Sequence, residues 1–246
     1  MPRRRRPRLP DGAILAYRAA IRRALARAED QIAAILEPKL AKLDARRDPV
    51  RYGLRAVEAN VDPDEIRAVA GQTERANMRE LRATLPRTLL ARVPSGVSPK
   101  LIERFRRENV DLITSLVDGE LEEITDLLDE GFKKGTRVED LRKQIKERFD
   151  VSKSKADLLA RDQVLKLNAK ITQTRQKQAG IRSFTWSTSN DERVRPEHAE
   201  LDGSVFAWSD LPTVDGEPDV MPGTQFQCRC VAIPIPPPLD DAPDDE

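Results

Sequence analysis

The 246-residue chain has a single histidine, two cysteines, two tryptophans and two tyrosines, and aromatic residues make up only 4% of it. Two cysteines separated by one residue cannot build the disulfide framework of a small secreted domain, which points to a reducing compartment. No apolar run reaches the ~18 residues that a membrane-spanning helix requires, so a soluble protein with no membrane partner is expected. Net charge is +1, which excludes a surface cationic throughout, of the kind that neutralises many nucleic-acid phosphates at once. After the opening arginines, Leu9-Pro10-Asp11-Gly12 interrupts the apolar stretch that a secretory signal needs, and export by that route is not expected.

What the chain does have is charge, 35% of its residues, set in Ala-, Leu-, Arg- and Glu-rich text that favours long solvated helices. Ile14, Ile21, Leu25, Ala28, Ile32 and Ile35 follow helical spacing and predict a helix to about Glu37, ended by Pro38. Asp62-Pro63-Asp64-Glu65 reads as an N-cap, a proline at the first helical position and a capping glutamate. Ser98-Pro99 opens a third helix through Ile102, Phe105, Leu112, Leu116, Ile124 and Leu128, with Gly119 as a weak point. A short helix from Thr136 to near Phe149 and another from about Ser154 to a Gly180 stop are predicted next. Each stripe is most simply core or helix-partner packing. Beyond Gly180 the period changes to short runs, Ser183 to Ser187, Ser204 to Ala207 and Cys230 to Ile235, which read as strands before the prolines at 234 and 236–238.

The expected fold class is therefore α+β, with a mainly helical N-terminal and central part and a small β-containing module from about residue 181. Two domains are expected, over 1–95 and 96–238, followed by an acidic tail over 239–246. The ends are charged oppositely, with Arg3, Arg4, Arg5, Arg6 and Arg8 at one and Asp240, Asp241, Asp244, Asp245 and Glu246 at the other. Such blocks are solvated tails or contacts for DNA and oppositely charged partners.

The rare chemistry is concentrated between Phe184 and Cys230, which holds the histidine, both cysteines and both tryptophans. His198, Cys228 and Cys230 supply three ligands suited to zinc, and Asp191 or Asp202 could complete four. Thiols in this spacing also serve simply as buried small hydrophobes. Asp191, Arg193 and Arg195 alternate, so an extended segment would aim one carboxylate and two guanidiniums the same way, either to grip an anion or to lock a turn. On the preceding helix Arg161, Leu165 and Asn168 share a face, and a buried Arg and Asn would need partners such as Asp191. His198 has an acid-base range near neutrality, but no Ser or Cys nucleophile motif accompanies it, so no catalytic residue is assigned.

Arg161-Asp162-Gln163, Asn168, Ala179-Gly180-Ile181, Trp186-Ser187-Thr188, Asp191-Glu192-Arg193-Val194-Arg195, His198, Leu201-Asp202-Gly203 and Cys228-Arg229-Cys230 together resemble one family, the phage minor head proteins, or head morphogenesis proteins of the Mu F type. The resemblance runs from about Ser152 to Pro234, and it makes the second expected domain a Mu F-like head morphogenesis domain. The family carries Arg-Thr-Glu where this chain has Arg161-Asp162-Gln163. The resemblance implies a structural protein without catalytic activity, present in the virion head and in the host cytoplasm during assembly. Its implied partners are the portal and capsid or scaffold proteins, and its implied work is procapsid assembly, DNA packaging or ejection. Some relatives in that family add a C-terminal toxin domain, and with only a short acidic stretch after Pro238 none is expected here. The arginines at the start would meet packaged DNA. An alternative is a zinc-dependent enzyme or DNA-binding accessory factor acting on nucleic acid, with the His and Cys cluster around the metal and Arg193 or Arg195 on phosphate.

Overall fold

The structure, a computed structural model, describes residues 7–40, 54, 56–96 and 98–237. Arg3, Arg4, Arg5 and Arg6 and the acidic tail over 239–246 lie outside the described residues. Among the described residues, six helices and three strands follow one another: α1 Asp11–Leu40, α2 Pro63–Thr84, α3 Arg87–Leu90, α4 Pro99–Lys134, α5 Val138–Gln178, β1 Ser183–Ser187, α6 Pro196–Glu200, β2 Val205–Ala207 and β3 Val231–Ile235. This is an α+β fold, as the change of period beyond Gly180 predicts. The chain forms two compact units: one takes Leu15–Arg67 and Arg104–Ala160, the other the first residues to Ile14, Ala68–Glu103 and everything from Arg161.

The first of these units is all helical. Tyr17, Ile21, Leu25, Ala28, Ile32 and Leu36 of α1, Ile113, Val117, Ile124 and Leu128 of α4, and Leu141, Phe149 and Ala156 of α5 are buried. The α1 stripe is thus the expected one, but Tyr17 replaces Ile14 at its start and Leu36 replaces Ile35 at its end, and in α4 Ile113 and Val117 take the inward positions expected of Leu112 and Leu116, which are half-buried. Tyr17 is accommodated because its hydroxyl donates to Asn109 Oδ1 at 2.5 Å, and Asn109 Nδ2 in turn donates to the Phe105 carbonyl at 2.7 Å. Burial pushes the Tyr17 phenol far up from its ordinary range. Pro38 lies inside α1, which continues to Leu40. In the last turn a proline removes only one hydrogen bond, and the helix has little left to lose.

Helix α5 runs unbroken through the interruption expected between Phe149 and Ser154. The serines there read as caps in sequence but have other uses in the fold. Ser152 is buried and donates to the carboxylate of Glu120, itself buried, and Ser154 Oγ bonds back to the Asp150 carbonyl at 3.3 Å. No glycine or proline stands between Phe149 and Ser154 to stop the helix. Its end is the expected one: Gly180 takes φ 78°, its N–H donates to the Lys177 carbonyl at 3.0 Å, and the Ile181 N–H reaches back to Gln176 at 2.9 Å. This pair of bonds is a Schellman cap, which needs a residue free to adopt the left-handed region.

In the second unit the three strands form an antiparallel sheet in the order β2-β1-β3. Phe184 faces Phe206 and Pro234, and Trp186 faces Ala232. Pro234 is tolerated because β3 is an edge strand, where a missing N–H need not break a ladder. Phe184 and Trp186 alternate inward and join Trp208, Val214, Val220, Cys228, Cys230 and Ala232 in one apolar cluster. Helix α5 is fastened to it through buried Gln176, whose Nε2 donates to the Ala232 carbonyl at 3.0 Å and whose Oε1 accepts from Trp208 Nε1 at 3.2 Å.

Candidate functional site

The site is assembled from turns held by β1 and β3. Directly after β1, Thr188 donates its N–H and its hydroxyl to Asp202 Oδ1, at 2.7 and 3.0 Å. Gly203, at φ 82°, returns its N–H to the Trp186 carbonyl at 2.8 Å. Pro196 opens the short helix α6, a position where its missing N–H costs nothing. His198 sits on that helix, 2% exposed. Cys228 and Cys230 come from the approach to β3, where Gln227 and Gly223 take φ of 55° and 89°. A Cβ on Gly223 would stand 3.1 Å from the Cys230 carbonyl oxygen, so glycine is required for the loop to pass that close.

These pieces bring the histidine and both thiols together. His198 Nδ1 is 3.4 Å from Cys230 Sγ and 3.5 Å from Cys228 Sγ. The other nitrogen, Nε2, lies 2.6 Å from Gln225 Oε1. Gln225 points its amide nitrogen at the Val214 carbonyl and the Glu217 carboxylate, at 3.1 and 3.2 Å, so its oxygen faces the histidine. Arg195 Nη1 donates to the same Gln225 oxygen and to Asp215, both at 3.2 Å, and its Nη2 donates to the Phe226 carbonyl. Trp186 packs edge-on against the imidazole at 5.8 Å, and its buried indole N–H has no partner among the described residues. The Cys228 thiol is drawn below its ordinary range, first by a hydrogen bond from Cys230 and then, against the effect of burial, by the backbone N–H groups of Cys230 and Gly223. Chemically this is a buried, soft donor set with its second nitrogen already engaged.

The other sequence candidates fall elsewhere. Residues 191–195 form a turn, not a strand, so Asp191 is not held between Arg193 and Arg195. Its side chain instead caps the turn through the Arg193 N–H at 3.0 Å and forms two 2.6 Å bonds with Arg229. The Arg229 guanidinium holds the Asp191 carboxyl down to about 2. Neither Asp191 nor Asp202 completes the donor cluster, because Arg229 and Thr188 have engaged them. Arg161 is exposed, and the buried cation of α5 is Arg175, bonded to Glu74 and Asn77. Asn168 accepts from Asn77 Nδ2 at 3.1 Å. Arg193 and Arg8 are exposed.

Gln225 escaped the sequence reading, and Asp162 was read there only as part of the Arg161-Asp162-Gln163 string, with no role of its own. Gln225 orients His198, and buried Asp162 accepts the Gln227 N–H at 2.9 Å while pairing with Lys166 at 2.7 Å. Asp162 stands on the α5 face that Leu165 and Ala169 bury, and an acidic residue among such neighbours was the available signal.

Residues 122–233 match the family described as Phage Mu protein F like protein. This region is Mu F-like. Every cluster residue named above, from Asp162 to Cys230, lies inside it. An uncharacterized protein of Haemophilus influenzae is 37% identical over 141 residues, covering 56% of this chain and 31% of that protein. An uncharacterized protein of Methanocaldococcus jannaschii is 30% identical over 151 residues, covering 58% of this chain and 23% of that protein. The chain thus spans less than a third of the length of these relatives. No solved structure matches it. No helix among the described residues is long and apolar enough to cross a membrane.

Proposed function

We propose that this chain is a minor head protein that associates with the portal and acts in procapsid assembly, DNA packaging or ejection. The observation that carries the reading is the Mu F-like match over residues 122–233. The geometry agrees with it, because several motif side chains bond to one another or to neighbouring loops and cross-link the module. Arg229 holds Asp191, Arg195 holds the Gln225 loop and Asp162 holds the Gln227 turn. Partners on this reading are the portal and capsid or scaffold proteins, within the phage head and, during assembly, in the host cytoplasm. The arginines at positions 3–6 and 8 supply a contact for packaged DNA.

The enzyme alternative draws on the same cluster but is less well supported. His198, Cys228 and Cys230 are each no more than 6% exposed, which leaves no open face on which a nucleic-acid strand could reach a bound metal. The test is a tagged pull-down from cells producing the particles, with a moderate-salt wash and mass spectrometry. Recovery of a portal or capsid protein is expected. Recovery of nucleic acid with no head protein would overturn the assembly reading.

A further inference from the structure

We propose that His198 Nδ1, Cys228 Sγ and Cys230 Sγ bind a zinc ion as a structural staple of the C-terminal module, with a solvent molecule in the fourth position. The argument starts from the proton on the imidazole. Gln225 Oε1 is turned towards His198 by the two bonds its amide nitrogen makes to Val214 and Glu217, so it must accept. Of the two polar neighbours within hydrogen-bond distance of Nε2, the Gln225 oxygen at 2.6 Å is nearer than Arg195 Nη1 at 3.2 Å, which assigns the proton to Nε2 and the lone pair to Nδ1. That lone pair faces two sulfurs at once, at 3.4 and 3.5 Å. A cation between the three atoms would engage the Nδ1 lone pair and both sulfurs at once.

The distances fit that cation. Metal bonds of about 2.05 Å to nitrogen and 2.3 Å to sulfur at tetrahedral angles place the ligand atoms about 3.6 Å (N to S) and about 3.8 Å (S to S) apart. Both N-to-S edges fall within about 0.2 Å of this, and all three atoms lie within 4.8 Å of one another. The surroundings are those a thiolate site requires. Backbone N–H groups of Cys230 and Gly223 point at Cys228 Sγ, and Gln225 on the far nitrogen fixes the ring, the usual task of the group behind a metal-bound histidine. Two thiolates and an imidazole favour zinc over the hard cations magnesium and calcium. Joining α6 to the entry of β3, the ion would close the chain between His198 and Cys228 and add its binding free energy to folding. The inference is independent of the head-assembly reading.

The experiment uses the full chain purified under reducing conditions from zinc-supplemented medium. Elemental analysis is expected to give one zinc per chain, and a chelator is expected to lower Tm. Cobalt added to the stripped protein should give the intense visible bands of a tetrahedral site together with thiolate charge transfer in the near ultraviolet. Zinc added to the stripped protein should slow alkylation of the two cysteines by about tenfold or more. These readouts need no variant, so they stand even if Cys230→Ser or His198→Asn does not fold. Where Cys230→Ser does fold, the cobalt charge-transfer band should fall by about half, one of two thiolates being lost. Cobalt without charge transfer, together with alkylation and Tm unaffected by zinc, would overturn the proposal.

Discussion

At the scale of single residues, Gly223 is the position whose chemistry is least replaceable. Its φ of 89° lies where a side chain is strained, and an added Cβ would crowd the Cys230 carbonyl at 3.1 Å and Ala169 Cβ at 3.4 Å. Gly223→Ala is expected to cost about 1–3 kcal/mol of stability, read by denaturant unfolding. A loss under a few tenths would mean that the loop relaxes freely. Asp191 gives a pH signature. Its carboxyl is lowered from 3.8 to about 2, chiefly by the Arg229 bond. A depressed carboxyl contributes stability that is present above its unfolded value and lost as pH falls through the folded one, here between about 4 and 2. Asp191→Asn should therefore lower Tm modestly at pH 7 and converge with the parent near pH 2. Parallel Tm profiles across that window would contradict the assignment.

At the scale of elements, the long helices show where local signals hold and where packing overrides them. Asp62 caps α2 as read, its Oδ1 accepting the Asp64 N–H at 2.9 Å, because capping is a contact between near neighbours. The serines of α5 defeat the same logic, since Ser152 is engaged by Glu120, 32 residues away. Gly119 lies inside α4 with open space where a Cβ would go. Gly119→Ala should raise stability by about 1 kcal/mol through the lower backbone entropy of alanine in the unfolded chain. An unchanged or lowered denaturation midpoint would show that the glycine has a role the helix itself does not reveal.

At the scale of the whole molecule, the near-neutral balance of 43 basic and 42 acidic residues confines any DNA affinity to local patches. If the five arginines at positions 3–6 and 8 each neutralise one phosphate, the slope of log K against log salt should be about −4.5, or about a 500-fold loss between 50 and 200 mM. Filter binding of duplex DNA across that range measures it. Deletion of residues 3–8 without a change in slope would place the contact elsewhere.

The amino-acid sequence alone determined the middle of the α1 stripe, Phe105, Ile124 and Leu128 of α4, the extent of β1, the Gly180 stop and the gathering of rare residues beyond Phe184, because each reflects local pattern or capping among close neighbours in the chain. Tertiary structure alone decided that Asp191 meets Arg229 across 38 residues, that Gln225 turns His198 so that Nδ1 faces both sulfurs, and that Arg175 rather than Arg161 is the buried cation. Those pairings depend on the paths of irregular loops, set by left-handed residues such as Gln227 and Gly223, and a loop's path has no repeat from which it could be read.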